Sequence, residues 1–290
     1  MFSQHNTVDT SYTINSAYQK IVKKYSYVSI AKLKDVEPVL CIPNISYKVQ
    51  ADINLCMNAF INIKENRKPA IILIHGGAWK SGVKEMLDPL AQNLAINGFN
   101  CFTIDYRLAP QYKFPEAIFD INDAIQFIIQ SAEEFKIDSN KIIILGCSAG
   151  AQLASLVAAT SHSTTFQKEP VHLRALINID GILAFSHPKS KEGTLAASWI
   201  GDTEKNNLNL WNEASALTYI DENCPPTLFI ASDFERFQAG RDEMISILKQ
   251  YNIQYQVKTI HNAPHTFWLF NPWFDEVIRS ILNFLNLSLN

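Results

Sequence analysis

Short, continuously apolar runs alternate with stretches of helical periodicity along most of the chain, and this alternation restricts the fold more than any other feature. The β-type runs fall at 45–48, 54–63, 70–75, 100–105, 141–145, 175–179, 227–231 and 254–259. Several, such as Ile142-Ile143-Ile144-Leu145, are unbroken and show no polar alternation. A strand of that kind needs apolar cover on both of its faces. Helical patterns lie between the runs, at 87–97, 115–130, 149–159, 241–251 and 273–284. In 115–130, Pro115 suits a first turn, and Ile118, Ile121, Ile125 and Ile128 recur on one face. The expectation is an α/β fold: a mainly parallel central sheet of about eight strands with helices on both faces. The first two strands have no helix between them, so they are predicted to form an antiparallel hairpin at one edge.

Composition supports a large core and excludes several classes. Of 290 residues, 47% are hydrophobic and 18% charged, which rules out a disordered chain. The net charge of −3 provides no field for nucleic acid or an anionic membrane, and no apolar run is long enough to cross a bilayer. Cys41, Cys56, Cys101, Cys147 and Cys224 are scattered without a CxxC pair, which argues against a zinc site or a redox dithiol. Residues 1–13 are polar and lack the apolar core of a signal peptide. The chain therefore reads as cytoplasmic, or as periplasmic or secreted had a signal been trimmed. Residues 1–40 read as a polar N-terminal extension with a short helix around 16–24, and 41–290 as one domain. The alternation breaks at 183–215, which carries Trp199 and Trp211. This stretch is either a long surface connection or a cap over a pocket.

Glycine is scarce, and four of the ten glycines fall in two motifs. Gly146-Cys147-Ser148-Ala149-Gly150 follows an apolar strand and opens a helix. Acyl-transfer chemistry needs a sharp turn that lifts a serine above the sheet edge, with small residues on either side of it. The helix N-terminus then sets amides beside developing negative charge. The plainer reading of Ser148 is a helix N-cap. His75-Gly76-Gly77-Ala78-Trp79 also follows an apolar strand. Its backbone amides, at Gly77 and Ala78, together with that of Ala149, are candidate donors to an oxyanion. The plainer reading here is a tight turn that holds two glycines. Cys147 reads as packing.

These motifs, with Asp105-Tyr106-Arg107-Leu108-Ala109-Pro110, Phe114-Pro115-Glu116-Ala117 and Pro264-His265-Thr266-Phe267-Trp268, resemble the α/β-hydrolase esterases. They are most similar to the group of hormone-sensitive lipase and the bacterial acetylxylan and feruloyl esterases. The resemblance covers roughly 42–286. It implies that Ser148 is the nucleophile, that His265, after the last strand, is the general base, and that His75 is structural. Tyr106 and Arg107 are expected to serve packing and ion pairing. His261 is a rival base, while His5, His162, His172 and His187 sit in surface-like contexts.

The acid is less determined. In the register of the resembled group it is Glu235, within Ser232-Asp233-Phe234-Glu235-Arg236, although the usual His-Gly is missing there. Asp180, at the end of the preceding strand, is the alternative acid, followed by Asp233 and, remotely, Asp242. Arg236 could instead hold Glu235 in a surface pair. Trp79 and Trp268 are candidate substrate-binding residues, and the run Phe267, Trp268 and Trp273 lines a subsite or belongs to the core. The resemblance implies a serine carboxylic-ester hydrolase without metal or organic cofactor, acting on a small-molecule ester or an acylated oligosaccharide. Ala239-Gly240-Arg241-Asp242 and the phrase from Trp268 to Phe274 are similar to esterase-like proteins of bacteria that degrade plant polysaccharides. That points to acetyl or other small acyl groups on xylan- or pectin-type glycans. An arylformamidase acting on N-formylkynurenine is the alternative enzyme, and a non-catalytic α/β-hydrolase-like binding protein is the alternative of another class.

Overall fold

The unbroken apolar runs form the centre of one eight-stranded sheet with a separate apolar core on each face. The computed structural model describes residues 11–34, 37–51, 53–64 and 66–289. In chain order the elements are α1 (Ile14–Ile21), β1 (Ser29–Ile30), β2 (Val39–Gln50), β3 (Ile53–Asn62), β4 (Lys68–Ile74), α2 (Asp88–Ile96), β5 (Asn100–Ile104) and α3 (Glu116–Gln130). There follow β6 (Ile137–Cys147), α4 (Ala149–Thr160), β7 (Leu173–Ile179), α5 (Gly193–Ile200), α6 (Leu208–Glu213), β8 (Thr227–Ala231), α7 (Arg241–Gln250), β9 (Tyr255–Thr259), β10 (Phe270–Asn271) and α8 (Trp273–Ser288).

The large sheet has the order β2-β3-β5-β4-β6-β7-β8-β9. Strands β2, β3 and β5 pair antiparallel, and every pairing from β5 through β4 to β9 is parallel. The predicted edge hairpin is β2–β3. Strand periodicity of two explains how a continuous apolar run serves two cores. In β4, Ile71 and Leu73 enter one cluster while Ala70, Ile72 and Ile74 enter the other. In β6, Ile143 and Leu145 are likewise separated from Ile142 and Ile144. Helices α3 and α4 cover one face, and α2 and α8 the other.

Tyr106 and Arg107 take the packing and ion-pair roles expected of them. The Tyr106 hydroxyl donates to the His75 carbonyl (2.9 Å). Arg107 Nε donates to the fully buried carboxylate of Asp120 (2.8 Å), which also receives Lys48 Nζ (2.7 Å). This joins β2, the loop after β5 and α3.

Three features exceed the sequence reading. The segment 183–215 contains two helices, α5 and α6. It is held down by an aromatic cluster in which Trp199, fully buried, stacks on Trp79 with ring centroids 5.4 Å apart. A second, two-stranded sheet pairs β1 with β10. Finally, the segment around α1 and β1 packs on the core: Ala17, Tyr25, Val28 and Ala31 are buried in the cluster that contains α8. Among the described residues no helix is long and apolar enough to cross a membrane.

Candidate active site

Because β4, β6, β7, β8 and β9 run in parallel, the loops after them gather at one edge of the sheet, where α/β folds place their ligands. Ser148 sits at the sharpest of these turns. Its φ of 55° and ψ of −122° are a strained conformation for a side-chain-bearing residue. Its amide donates to the Ile179 carbonyl (2.8 Å), and its carbonyl accepts from Ala151 (2.9 Å) as α4 begins. A Cβ on Gly146 would overlap the backbone of Gly150, and one on Gly150 would overlap the carbonyl of Ile74. The small residues flanking Ser148 are therefore sterically required. Cys147 points into the core, and burial pushes its thiol pKa well up, which leaves it inert.

His265 lies in the loop between β9 and β10. Its Nε2 is 2.8 Å from Ser148 Oγ, and its Nδ1 is 2.9 Å from Asp180 Oδ2. A carboxylate only accepts, so Nδ1 carries the proton and Nε2 is free to accept from the serine hydroxyl. Asp180 ends β7 with a φ of 52° and a fully buried side chain. It is held by the Ser232 amide at Oδ1 (2.7 Å) and the Ser232 hydroxyl at Oδ2 (2.6 Å). The buried carboxylate thus has three donors, the condition under which a charge tolerates burial.

This corrects the expected acid. Glu235 is exposed at the start of a 3-10 turn, Glu235–Gln238, and it is Asp180 and not Glu235 that bonds the imidazole. The residue after β8 that meets the relay is Ser232, and it serves Asp180. Asp233 is likewise excluded, since its carboxylate binds His261 Nδ1 (2.7 Å) and the Asn262 amide (2.8 Å). That backbone bond, with His261, holds the Asp233 pKa below the ordinary value. The rival base His261 is therefore engaged at the surface. Asp242 pairs with Lys189 (3.1 Å). Arg236 turns to Glu192 (3.6 Å) and not to Glu235. His162 and His187 pair with Asp221 and Glu243 in partly exposed positions, and His5 lies outside the described residues.

The loop after β4 brings Gly77 and Ala78 to the same cavity as Ser148 and Ala149. Gly77, Ala78 and Trp79 all have positive φ. The strain is held by His75, which is buried, stacks on Tyr106 (4.5 Å between centroids) and directs Nδ1 to the Gly76 carbonyl (2.8 Å). Burial depresses the His75 pKa, so this ring is a neutral structural prop.

The cavity encloses about 290 Å³. Trp79 lines it, with its indole fixed to Gln152 Oε1 (2.9 Å). Trp268 does not line it and needs correction as a substrate-binding candidate. It is 2% exposed and lies edge-on to His265, with its surface committed to the core beside Phe267. Sequence reasoning missed the wall contributed by Ser11, Tyr12 and Lys20 from the N-terminal stretch, while Glu192 and Leu195 near α5 belong to 183–215, the stretch read as a connection or a cap.

Residues 57–238, more than half of the chain, match the BD-FAE family model. The chain belongs to the BD-FAE family. Similar curated proteins include esterase LipC of Mycobacterium tuberculosis, 28% identical over 173 residues, covering 56% of this chain and 43% of LipC. An arylesterase of Saccharolobus solfataricus is 36% identical over 146 residues, covering 50% of this chain and 46% of that enzyme. The matches thus span less than half the length of these relatives. Among solved structures, esterase B of Lactobacillus rhamnosis superposes with a TM-score of 0.73 at 18% identity, covering 95% of this chain and 94% of that one. A truncated carbohydrate esterase from gut microbiota gives 0.70 at 18% identity, covering 87% and 97%. These superpositions establish the α/β-hydrolase fold for this member of the BD-FAE family.

Proposed function

We propose that this chain is a serine carboxylic-ester hydrolase that removes acetyl or other small acyl groups from hydroxylated alcohols of the plant oligosaccharide type. The observation that carries the reading is the unbroken relay from Ser148 Oγ through His265 to buried Asp180, beside a cavity that Gly77, Ala78 and Ala149 line. His265 Nε2 takes the Ser148 proton as Oγ attacks the ester carbonyl. The oxyanion is received by the amides of Gly77, Ala78 and Ala149. The alcohol leaves with the proton from His265, and water, deprotonated by the same nitrogen, then releases the acid and restores the serine.

A cavity of about 290 Å³ stands at the small end of ligand pockets and favours a short acyl group. The carbohydrate part of the reading draws support from the sequence resemblance and from the fold shared with a carbohydrate esterase. The test pairs p-nitrophenyl esters of increasing chain length with acetylated xylo-oligosaccharides. Expected results are a preference for acetate and butyrate esters, release of acetate from the glycans, and loss of about 10⁵-fold or more in activity on Ser148→Ala. Strong long-chain activity would count against the small acyl group. Hydrolysis of N-formylkynurenine with no glycan deacetylation would replace the substrate assignment.

A further inference from the structure

The turn after β8 brings an aromatic ring, and no carboxylate, to the general base. Phe237, in the turn Glu235–Gln238, is 9% exposed and lies flat against His265, with ring centroids 3.6 Å apart and planes 10° from parallel. Hydrogen bonds at Nδ1 and Nε2 fix the two imidazole nitrogens but restrain tilting about the line joining them only weakly, because hydrogen bonds tolerate broad angles. A flat ring at contact distance on one face removes that freedom, and Trp268 meets the same imidazole edge-on at 5.2 Å.

The imidazole occupies one face of Phe237. The Arg236 guanidinium lies over the same ring, 4.4 Å from its centroid. Arg236 in turn lies 3.6 Å from Glu192 Oε1. Glu192, just before α5, has a side chain only 7% exposed, and among the described residues Oε1 accepts no hydrogen bond. The guanidinium is therefore the compensating charge for that oxygen, which holds Arg236 in place. Glu192, Arg236, Phe237 and His265 form one array along the cavity wall.

We infer that Phe237 is a positioning residue for His265: its ring holds the imidazole plane in line with Ser148 Oγ, and the Glu192–Arg236 pair, through the guanidinium over that ring, helps to fix it. This rests on the hydrolase reading above. The π face also attracts the imidazolium formed during attack, while the guanidinium over the same ring competes for it. Orientation is accordingly the main effect.

The test compares Phe237→Leu, which keeps apolar bulk without a flat face, with Phe237→Tyr, which keeps the face. Both are assayed as the full chain on p-nitrophenyl acetate and for phosphonylation of Ser148 by a fluorophosphonate. The expected result for Leu is a fall in kcat of about 10- to 100-fold with KM within about twofold, and slower phosphonylation to match. Tyr should stay within about threefold of the parent. Should Leu prevent folding, Phe237→Met carries the same expectation. Parental kcat in the Leu variant, equal losses for Leu and Tyr, or a change confined to KM would each overturn the inference. A parent chain that neither cleaves esters nor is labelled at Ser148 would overturn the hydrolase reading itself, and this inference with it.

Discussion

At the scale of single residues, the site depends on which carboxylate reaches His265. Asp180 does so because β7 pairs with β8 through Ile179 and Ile230, and the chain past β8 then folds Ser232 over the carboxylate. Asp180→Asn keeps the shape but offers an amide where an acceptor is needed, so the imidazole loses its tautomer. The expected fall in kcat is about 10³- to 10⁴-fold, against no more than about twofold for Glu235→Gln. Equal losses in a kcat comparison of the two variants would return the role to Glu235. Ser148 was legible because a serine raised at a strand–helix turn imposes local demands: small neighbours and a strained turn. His265 was legible from its place after the last strand. The acid carries no such local signature, since any loop at that edge of the sheet can deliver a carboxylate through space. Ala231-Ser232 in place of the usual His-Gly, and Glu in place of Asp at 235, were the signs in the sequence that the usual loop had changed its task.

At the scale of elements, helix α2 opens with an acid locked between two strands. Asp88 is 7% exposed and accepts from Thr103 Oγ1 on β5 (2.7 Å) and Asn58 Nδ2 on β3 (3.0 Å). Burial outweighs these donors and pushes its pKa from 3.8 up to about 6. Between those two pH values the folded chain holds a proton that the unfolded chain has released. Stability from this residue is thus full below pH 3.8 and declines as pH rises towards 6, by about 3 kcal/mol in all. Asp88→Asn sets two donors against each other near Asn58, which shifts stability equally at every pH. The informative quantity is therefore the slope of unfolding free energy in urea between pH 4 and pH 7. The slope should shift towards more positive values in the variant, because the decline contributed by Asp88 is gone, and an identical slope would mean Asp88 is ionised throughout. Long elements such as β4, β6 and α3 were readable because their apolar pattern repeats over enough residues to declare its period. Helices α5 and α6 were not. They are short, and their burial is decided by Trp199 and Trp211 meeting distant aromatic rings.

At the scale of the molecule, the polar N-terminal stretch packs on the folded body over residues 11–34. Its apolar residues are spaced too irregularly to announce a packed face, yet Tyr25 meets Trp273 of α8 edge to face at 5.1 Å. Strand β1 pairs with β10, and the Ala31 amide donates to the Leu269 carbonyl (2.9 Å), four residues after His265. The same stretch sends Tyr12 and Lys20 to the cavity wall. On the proposed hydrolase reading, a segment that braces the His265 loop and also borders the cavity couples stability to turnover. Removing the Tyr25 ring leaves an uncovered edge on Trp273 and should cost about 2–4 kcal/mol of unfolding free energy. Strain on β10 would pass to the His265 loop, so Tyr25→Ala is expected to lower kcat on p-nitrophenyl acetate by about threefold or more even well below its melting temperature. A variant that melts earlier but turns over like the parent would confine the segment to structural support. One that keeps both properties would show that the Tyr25–Trp273 contact contributes to neither.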